Sequence, residues 1–174
     1  MKIKSHPRTI VNWLGIIIIF MVLAHLLAHL LDTYTGHTYG LFLFDLDRER
    51  NIAAFFGAVL LLFSSILLAL VAIGYRQKNQ PYFYWAGLSA IFLFLSLDEA
   101  AAIHENLISP VRNALNTSGI LHFAWVIPYG ILFLILFAIY ARIVWALPTK
   151  KSFLFILGGG IYVTGALGFE LISG

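Results

Sequence analysis

From Ile10 to Leu31 the chain runs without an Asp, Glu, Lys or Arg, and this stretch narrows the folds open to it more than any other. A helix needs about 20 apolar residues to cross a hydrocarbon core about 30 Å thick. Lipid offers the backbone no hydrogen-bond partner, so the crossing segment must satisfy itself. The run is too long for a signal-peptide core and no small-x-small cleavage site follows it, so it reads as an uncleaved first span. Comparable runs recur. They predict helices over residues 10–31, 52–74, 82–106, 121–147 and 153–172, separated by Gly36 and Gly40, by Arg76, Lys78 and Pro81, by Pro110 and the polar residues 113–119, and by Pro148, Lys150 and Lys151. Asn51 stands as N-cap of the second helix, Tyr82, Tyr84 and Trp85 as an aromatic belt opening the third, and Pro128 as a bend near the start of the fourth. The expected fold class is all-α: an integral membrane bundle of five transmembrane helices forming a single domain, 1–174.

Composition agrees. The chain is 61% hydrophobic and 11% charged, with a mean hydropathy of +0.91, which leaves no room for a soluble domain beside the spans. Lys2, Lys4, Arg8, Arg76, Lys78, Arg142, Lys150 and Lys151 fall on one side of the predicted membrane, and Arg48, Arg50 and Arg112 on the other. The positive-inside rule then puts the N-terminus in the cytoplasm, and the expected location is a cell membrane. The net charge of +3 is scattered rather than gathered in a basic patch, so no nucleic-acid partner is expected. The expected partners are the lipid bilayer, and then other membrane proteins or a second copy of the chain. Gly158, Gly159, Gly160, Gly165 and Gly168 would let a neighbouring helix approach closely.

Function is sought in what interrupts the apolar pattern. Residues 95–106 close a membrane-length run yet carry Asp98, Glu99, His104 and Glu105, and ionisable groups in such segments tend to have partners or chemistry. At about 1.5 Å per residue, His25 and His29 stand about 22 and 28 Å above Ile10, Asp32 about 33 Å. Asp98 stands about 24 Å and Glu105 about 35 Å above Tyr82, and Glu170 about 26 Å above Phe153. His122 opens the descending fourth helix. Acids and imidazoles from separate spans are thus expected in one layer near the non-cytoplasmic surface.

Spacing adds faces to heights. His25, His29 and Asp32 follow i, i+4, i+7 and share a stripe; on a continuous helix Asp98 and Glu105 would lie about 20° apart, whereas His104 would point away. With no cysteine, a metal site must be built from His, Asp and Glu. His25, His29, Asp98, Glu105 and Glu170 are the candidate ligands of a divalent zinc, iron or manganese ion, with Asp32, Glu99, His104 and His122 as weaker ones. Asp98 and Glu105 are the candidate general bases of a hydrolytic reaction. The alternatives are a proton- or ion-coupled transporter in which these acids titrate, and a non-catalytic subunit of a membrane complex. For Glu99 and His104 the plain reading is solvation at the interface. For the charged knot at residues 45–50 it is a self-neutralised surface turn, with a lid over the site as the alternative. Ser64 and Ser65 read as helix-packing residues. No phosphate loop, nucleophile elbow or zincin motif occurs.

The segments Phe44-Asp-Leu-Asp-Arg-Glu-Arg-Asn51, Leu95-Ser-Leu-Asp-Glu-Ala-Ala-Ala-Ile-His-Glu105, Phe123-Ala-Trp-Val-Ile-Pro128 and Tyr162-Val-Thr-Gly-Ala-Leu-Gly-Phe-Glu170 together resemble an uncharacterised family of bacterial polytopic membrane proteins. The resemblance covers most of the chain. It implies a shared fold, and it puts Asp98, Glu99, His104, Glu105 and Glu170 on the family's polar motif positions; no activity comes with it. Members of that family continue past the equivalent of Gly174 into a further glutamate-rich helix, which implies that this chain is C-terminally incomplete. A looser similarity is to the membrane hydrolases that include alkaline ceramidases, which hold zinc through His and Asp in a helical bundle. This chain has fewer helices and lacks a C-terminal His-x-x-x-His.

Overall fold

A computed structural model describes residues 7–36, 41–46, 48–116 and 123–168, and among them all regular structure is helical. The chain divides into two compact units, Met1–Ala102 and Ile103–Gly174. The first holds α1 (Pro7–Thr35), a 3-10 turn (Leu41–Phe44), α2 (Ile52–Gln77) and α3 (Phe83–Ala101). The second holds a 3-10 turn (His104–Leu107), α4 (Ile108–Leu115), α5 (Val126–Trp145) and α6 (Thr149–Val163), which a π turn extends over Thr164–Gly168.

In the first unit α2 and α3 form an antiparallel hairpin. The buried face of α2 is a stripe of mostly small residues, Ala54, Ala58, Leu61, Ser65 and Ala72, spaced as a coiled-coil seam is spaced. Small side chains allow the backbones to approach, which is how helices associate where lipid supplies no hydrophobic driving force. Ser65 and Ser89 cross-link the seam: the Ser65 hydroxyl donates to the Ser89 carbonyl at 2.8 Å and the Ser89 hydroxyl to the Ser65 carbonyl at 2.9 Å. Nearer the other end the Ser96 hydroxyl donates to the Ala58 carbonyl at 2.7 Å. Ser65 is therefore the packing residue its sequence context predicts. The turn between the helices is a Schellman cap: Gln80 N–H donates to the Tyr75 carbonyl and Asn79 N–H to that of Arg76, both at 3.0 Å, with Asn79 at φ 53°. Pro81 then prevents the helix from resuming. At this turn Tyr82 is stacked on Phe83, and the Arg76 guanidinium lies 5.7 Å from the Tyr82 ring.

α1 meets this hairpin through the segment that precedes α2. Only Met21 and Ala28 of α1 are buried, and Phe20 packs edge-on against Phe44 of the 3-10 turn, centroids 5.8 Å apart. Most of the other large apolar side chains of α1, from Ile10 to Leu30, are exposed.

α1, α2, α3 and α5 are each long and apolar enough to cross a bilayer. At about 1.5 Å per residue they are about 43, 39, 28 and 30 Å long. The fifth predicted span, 153–172, begins earlier, at Thr149, because Pro148 in extended conformation sets the N-terminus. Its α-helical part ends at Val163, and residues 169–174 lie outside the described residues. At Gly158, Gly159, Gly160 and Gly165 an added Cβ would meet open space, so no described helix uses the close approach those glycines permit.

Two helix ends depart from expectation. The third helix stops at Ala101 rather than at residue 106, because Ala102 adopts the left-handed conformation at φ 51° and its N–H closes on the Asp98 carbonyl. Pro110 does not end a helix; it sits in the first turn of α4, where its missing N–H removes no bond. Pro128 likewise lies in the first turn of α5 and opens that helix rather than bending it.

Candidate functional site

Asn51, Asp98 and Glu99 lie at the end of the α2–α3 hairpin away from the turn at residues 78–82. Asn51 organises it. Its side-chain oxygen accepts from Ala54 N–H at 3.0 Å as the N-cap of α2, as the sequence predicts, while its side-chain nitrogen donates to the Asp45 carbonyl. The cap therefore also fixes the knot that precedes it. Asp45 then reaches in two directions. Its Oδ2 lies 3.0 Å from Arg48 Nε, the self-neutralising pair predicted for a surface turn, and its Oδ1 lies 3.5 Å from His25 Nδ1 on α1. His25 Nδ1 also accepts from the Leu46 N–H at 3.2 Å. The knot is thus the point at which α1 is tied to the hairpin.

Asp98 is 5% exposed, in the last turn of α3, and Glu99 beside it lies against α2 at Gly57. A Cβ built on Gly57 would come 3.2 Å from Glu99 Oε1, so the glycine leaves the carboxylate its place. Between these elements is a recess of about 260 Å³ lined by Arg50, Asn51, Ala54, Phe55, Glu99 and Ala100. Arg50 is held at φ 60°, a left-handed conformation that costs a residue with a Cβ about 1–2 kcal/mol. No carboxylate among the described residues pairs with its guanidinium. The first turn of α2, which also faces the recess at Ala54, contains no acidic residue to offset the positive end of the helix dipole. The lining of the recess therefore includes both a cation, Arg50, and a carboxylate, Glu99.

The other candidates are placed as follows. His29 and Asp32 lie on the exposed part of α1, one step round from the buried Met21–Ala28 line that contains His25, so the predicted i, i+4, i+7 stripe is divided between a packed and an open side. The continuous helix that would align Asp98 with Glu105 is interrupted at Ala102, and Glu105 is exposed in the following 3-10 turn. His104, expected to be solvated, is instead buried in the second unit at 6% exposure, its ring centroid 4.6 Å from that of Trp125 and 6.3 Å from that of Tyr129. Trp125 and Tyr129 are 5.2 Å apart and nearly perpendicular, which completes an aromatic triad. His122 and Glu170 lie outside the described residues. Among the described residues no three His, Asp or Glu side chains come together in a way that would hold a metal ion.

The sequence offers Arg50 and Asp45 only as charges of the knot and Asn51 only as a cap; an Arg standing directly before the N-cap of a long helix was the legible sign of a cation at that helix's start. The Trp125–Tyr129 pair carried a usable signal as well, an i, i+4 aromatic spacing.

The family model that matches the chain covers residues 13–174 and describes a domain of unknown function, DUF8692. No curated protein and no solved structure matches.

Proposed function

We propose, for a chain that belongs to the DUF8692 family, that it is a multi-pass membrane protein which binds a small charged ligand at the membrane surface, in the recess at the end of the α2–α3 hairpin. The reading includes five spans, α6 with its π turn being the fifth, and a cytoplasmic N-terminus, so that the recess opens on the non-cytoplasmic side. The observation that carries it is the presence of an unneutralised guanidinium, Arg50, and a carboxylate, Glu99, in the lining of one recess, at a level where α2 begins and α3 ends. Charged groups at that level are solvated in part by headgroups and water, so holding them apart is less costly than at the bilayer centre. Asp98, which is buried, adds a second carboxyl beside Glu99.

A metal-dependent hydrolase finds no donor set among the described residues, and Ser65 and Ser89 direct their hydroxyls at each other's backbone, which is a packing use rather than a relay. The binding reading is tested by accessibility. The chain has no cysteine, so a single Ala100→Cys reports on the recess alone. A membrane-impermeant maleimide should modify it at a rate near that of an aqueous thiol, while Ala90→Cys, an exposed position farther down the same helix, should stay unmodified in the membrane. An unreactive Ala100→Cys would mean that the recess is closed and the reading wrong.

A further inference from the structure

The recess has the chemistry of a phospholipid headgroup turned inside out. We propose that it binds the head of a lipid bearing both a phosphate and a primary ammonium, of the phosphatidylethanolamine class, an inference that rests on the binding reading above and names its ligand. Three features of the lining select this class.

Arg50 in the lining suits a phosphate. A guanidinium presents a planar fork of donors that matches phosphate oxygens in pairs, and the N-terminus of the 26-residue α2 adds the positive end of its dipole. Asn51 is fixed by two hydrogen bonds and holds this part of the lining in place. The Glu99 carboxylate in the same lining suits an ammonium with hydrogens to donate. Glu99 is seated in the notch left by Gly57, and a charge-assisted N–H bond to a carboxylate is shorter and stronger than a neutral one. A trimethylated ammonium keeps its charge but has no N–H to give. A glycerol head has neither charge nor ammonium.

The third feature fixes the source of the ligand. Phe55 on the rim is 66% exposed, and the recess lies where α3, about 28 Å long, reaches the end of a hydrocarbon core of about 30 Å. A head entering from the adjacent leaflet would bring its phosphate to this level and leave its acyl chains along Phe55 and the apolar outer face of α2. A soluble phosphoethanolamine would gain nothing from that face.

Native mass spectrometry of the full-length protein released from mixed vesicles tests this. The vesicles contain phosphatidylethanolamine, phosphatidylcholine and phosphatidylglycerol with identical acyl chains. A charge-assisted hydrogen bond is the difference between the first two, so wild type should retain phosphatidylethanolamine about tenfold or more over either competitor. Glu99→Gln should erase the preference over phosphatidylcholine and leave overall phospholipid retention in place, whereas Arg50→Gln should lower retention of all three. Equal retention of the three lipids by wild type overturns the proposal whether or not the variants fold. So does a Glu99→Gln protein, helical by circular dichroism, that keeps the preference. Displacement of the lipid by free phosphoethanolamine at equal concentration would assign the site to a solute and overturn the lipid source. If Ala100→Cys is labelled yet no lipid is preferred, the ligand class alone is wrong; if it is not labelled, the site itself is wrong.

Discussion

A single methyl group probes how Glu99 is held. Gly57→Ala adds a Cβ 3.2 Å from Glu99 Oε1, tighter than an unstrained contact, and the carboxylate must move by a few tenths of an ångström. In the helix interior the same change is worth about 1 kcal/mol of helix propensity. The expected outcome is a thermal unfolding midpoint at or above that of wild type together with a weaker preference for the ammonium-bearing lipid, read by melting in detergent and by the lipid-retention experiment. Loss of both stability and preference would say that Gly57 serves packing alone. Asn51→Ala is the converse case. It removes an N-cap and the tie to the Asp45 carbonyl, and should lower stability by about 1 kcal/mol or somewhat more, a fall of about 2–4 °C in the midpoint for a chain of this size. Asn51 was legible because a cap is a local device, decided by one side chain and the N–H three residues on. The contact of His25 with Asp45 was not. It depends on the path of the intervening chain through the 3-10 turn at Leu41–Phe44, and no local pattern encodes that path.

At the scale of elements, the spans were read from the length of their apolar runs, and the ends were read less well. Ala100, Ala101 and Ala102 are the strongest helix formers available, and nothing in them marks a stop; the helix nevertheless ends there because Ala102, fully buried, takes the left-handed conformation. Tertiary packing overrides local preference at this point, and with it goes the predicted alignment of Asp98 with Glu105. Two substitutions test the assignment. Ala102→Val places a β-branched side chain at positive φ in a buried position, and should lower stability by about 2 kcal/mol or more. Ala102→Gly relieves about 1–2 kcal/mol of backbone strain against about 0.8 kcal/mol for one lost buried methyl, and should stay within about 1 kcal/mol of wild type. If both variants melt alike, residue 102 is not left-handed in the membrane. The Ser65–Ser89 cross-link makes a separate prediction: because each hydroxyl donates to the other residue's backbone carbonyl, which an alanine keeps, each single Ser→Ala change should cost about 0.6 kcal/mol, with about 1.7 kcal/mol as a ceiling, and the double mutant should melt close to the sum of the two losses.

For the whole molecule, the apolar surface decides the environment. α1 buries only Met21 and Ala28, and α2, α3, α5 and α6 leave most of their large side chains uncovered, an area far beyond what a soluble monomer exposes. Hydrocarbon is the solvent for which such a surface costs nothing, and this much was plain from composition. What composition could not convey is which polar groups meet, since charge positions along a helix give depth but not the rotation and ends that set partners. The account depends on the two ends of the α2–α3 hairpin facing opposite sides of one membrane, with the recess on the non-cytoplasmic side. Single cysteines at Arg48 and Gln77 measure this directly when an impermeant maleimide is applied to intact cells and then to permeabilised ones. The expected result is that Arg48→Cys reacts in intact cells and Gln77→Cys only after permeabilisation; reaction of both from the same side, or the reverse pattern, would contradict it.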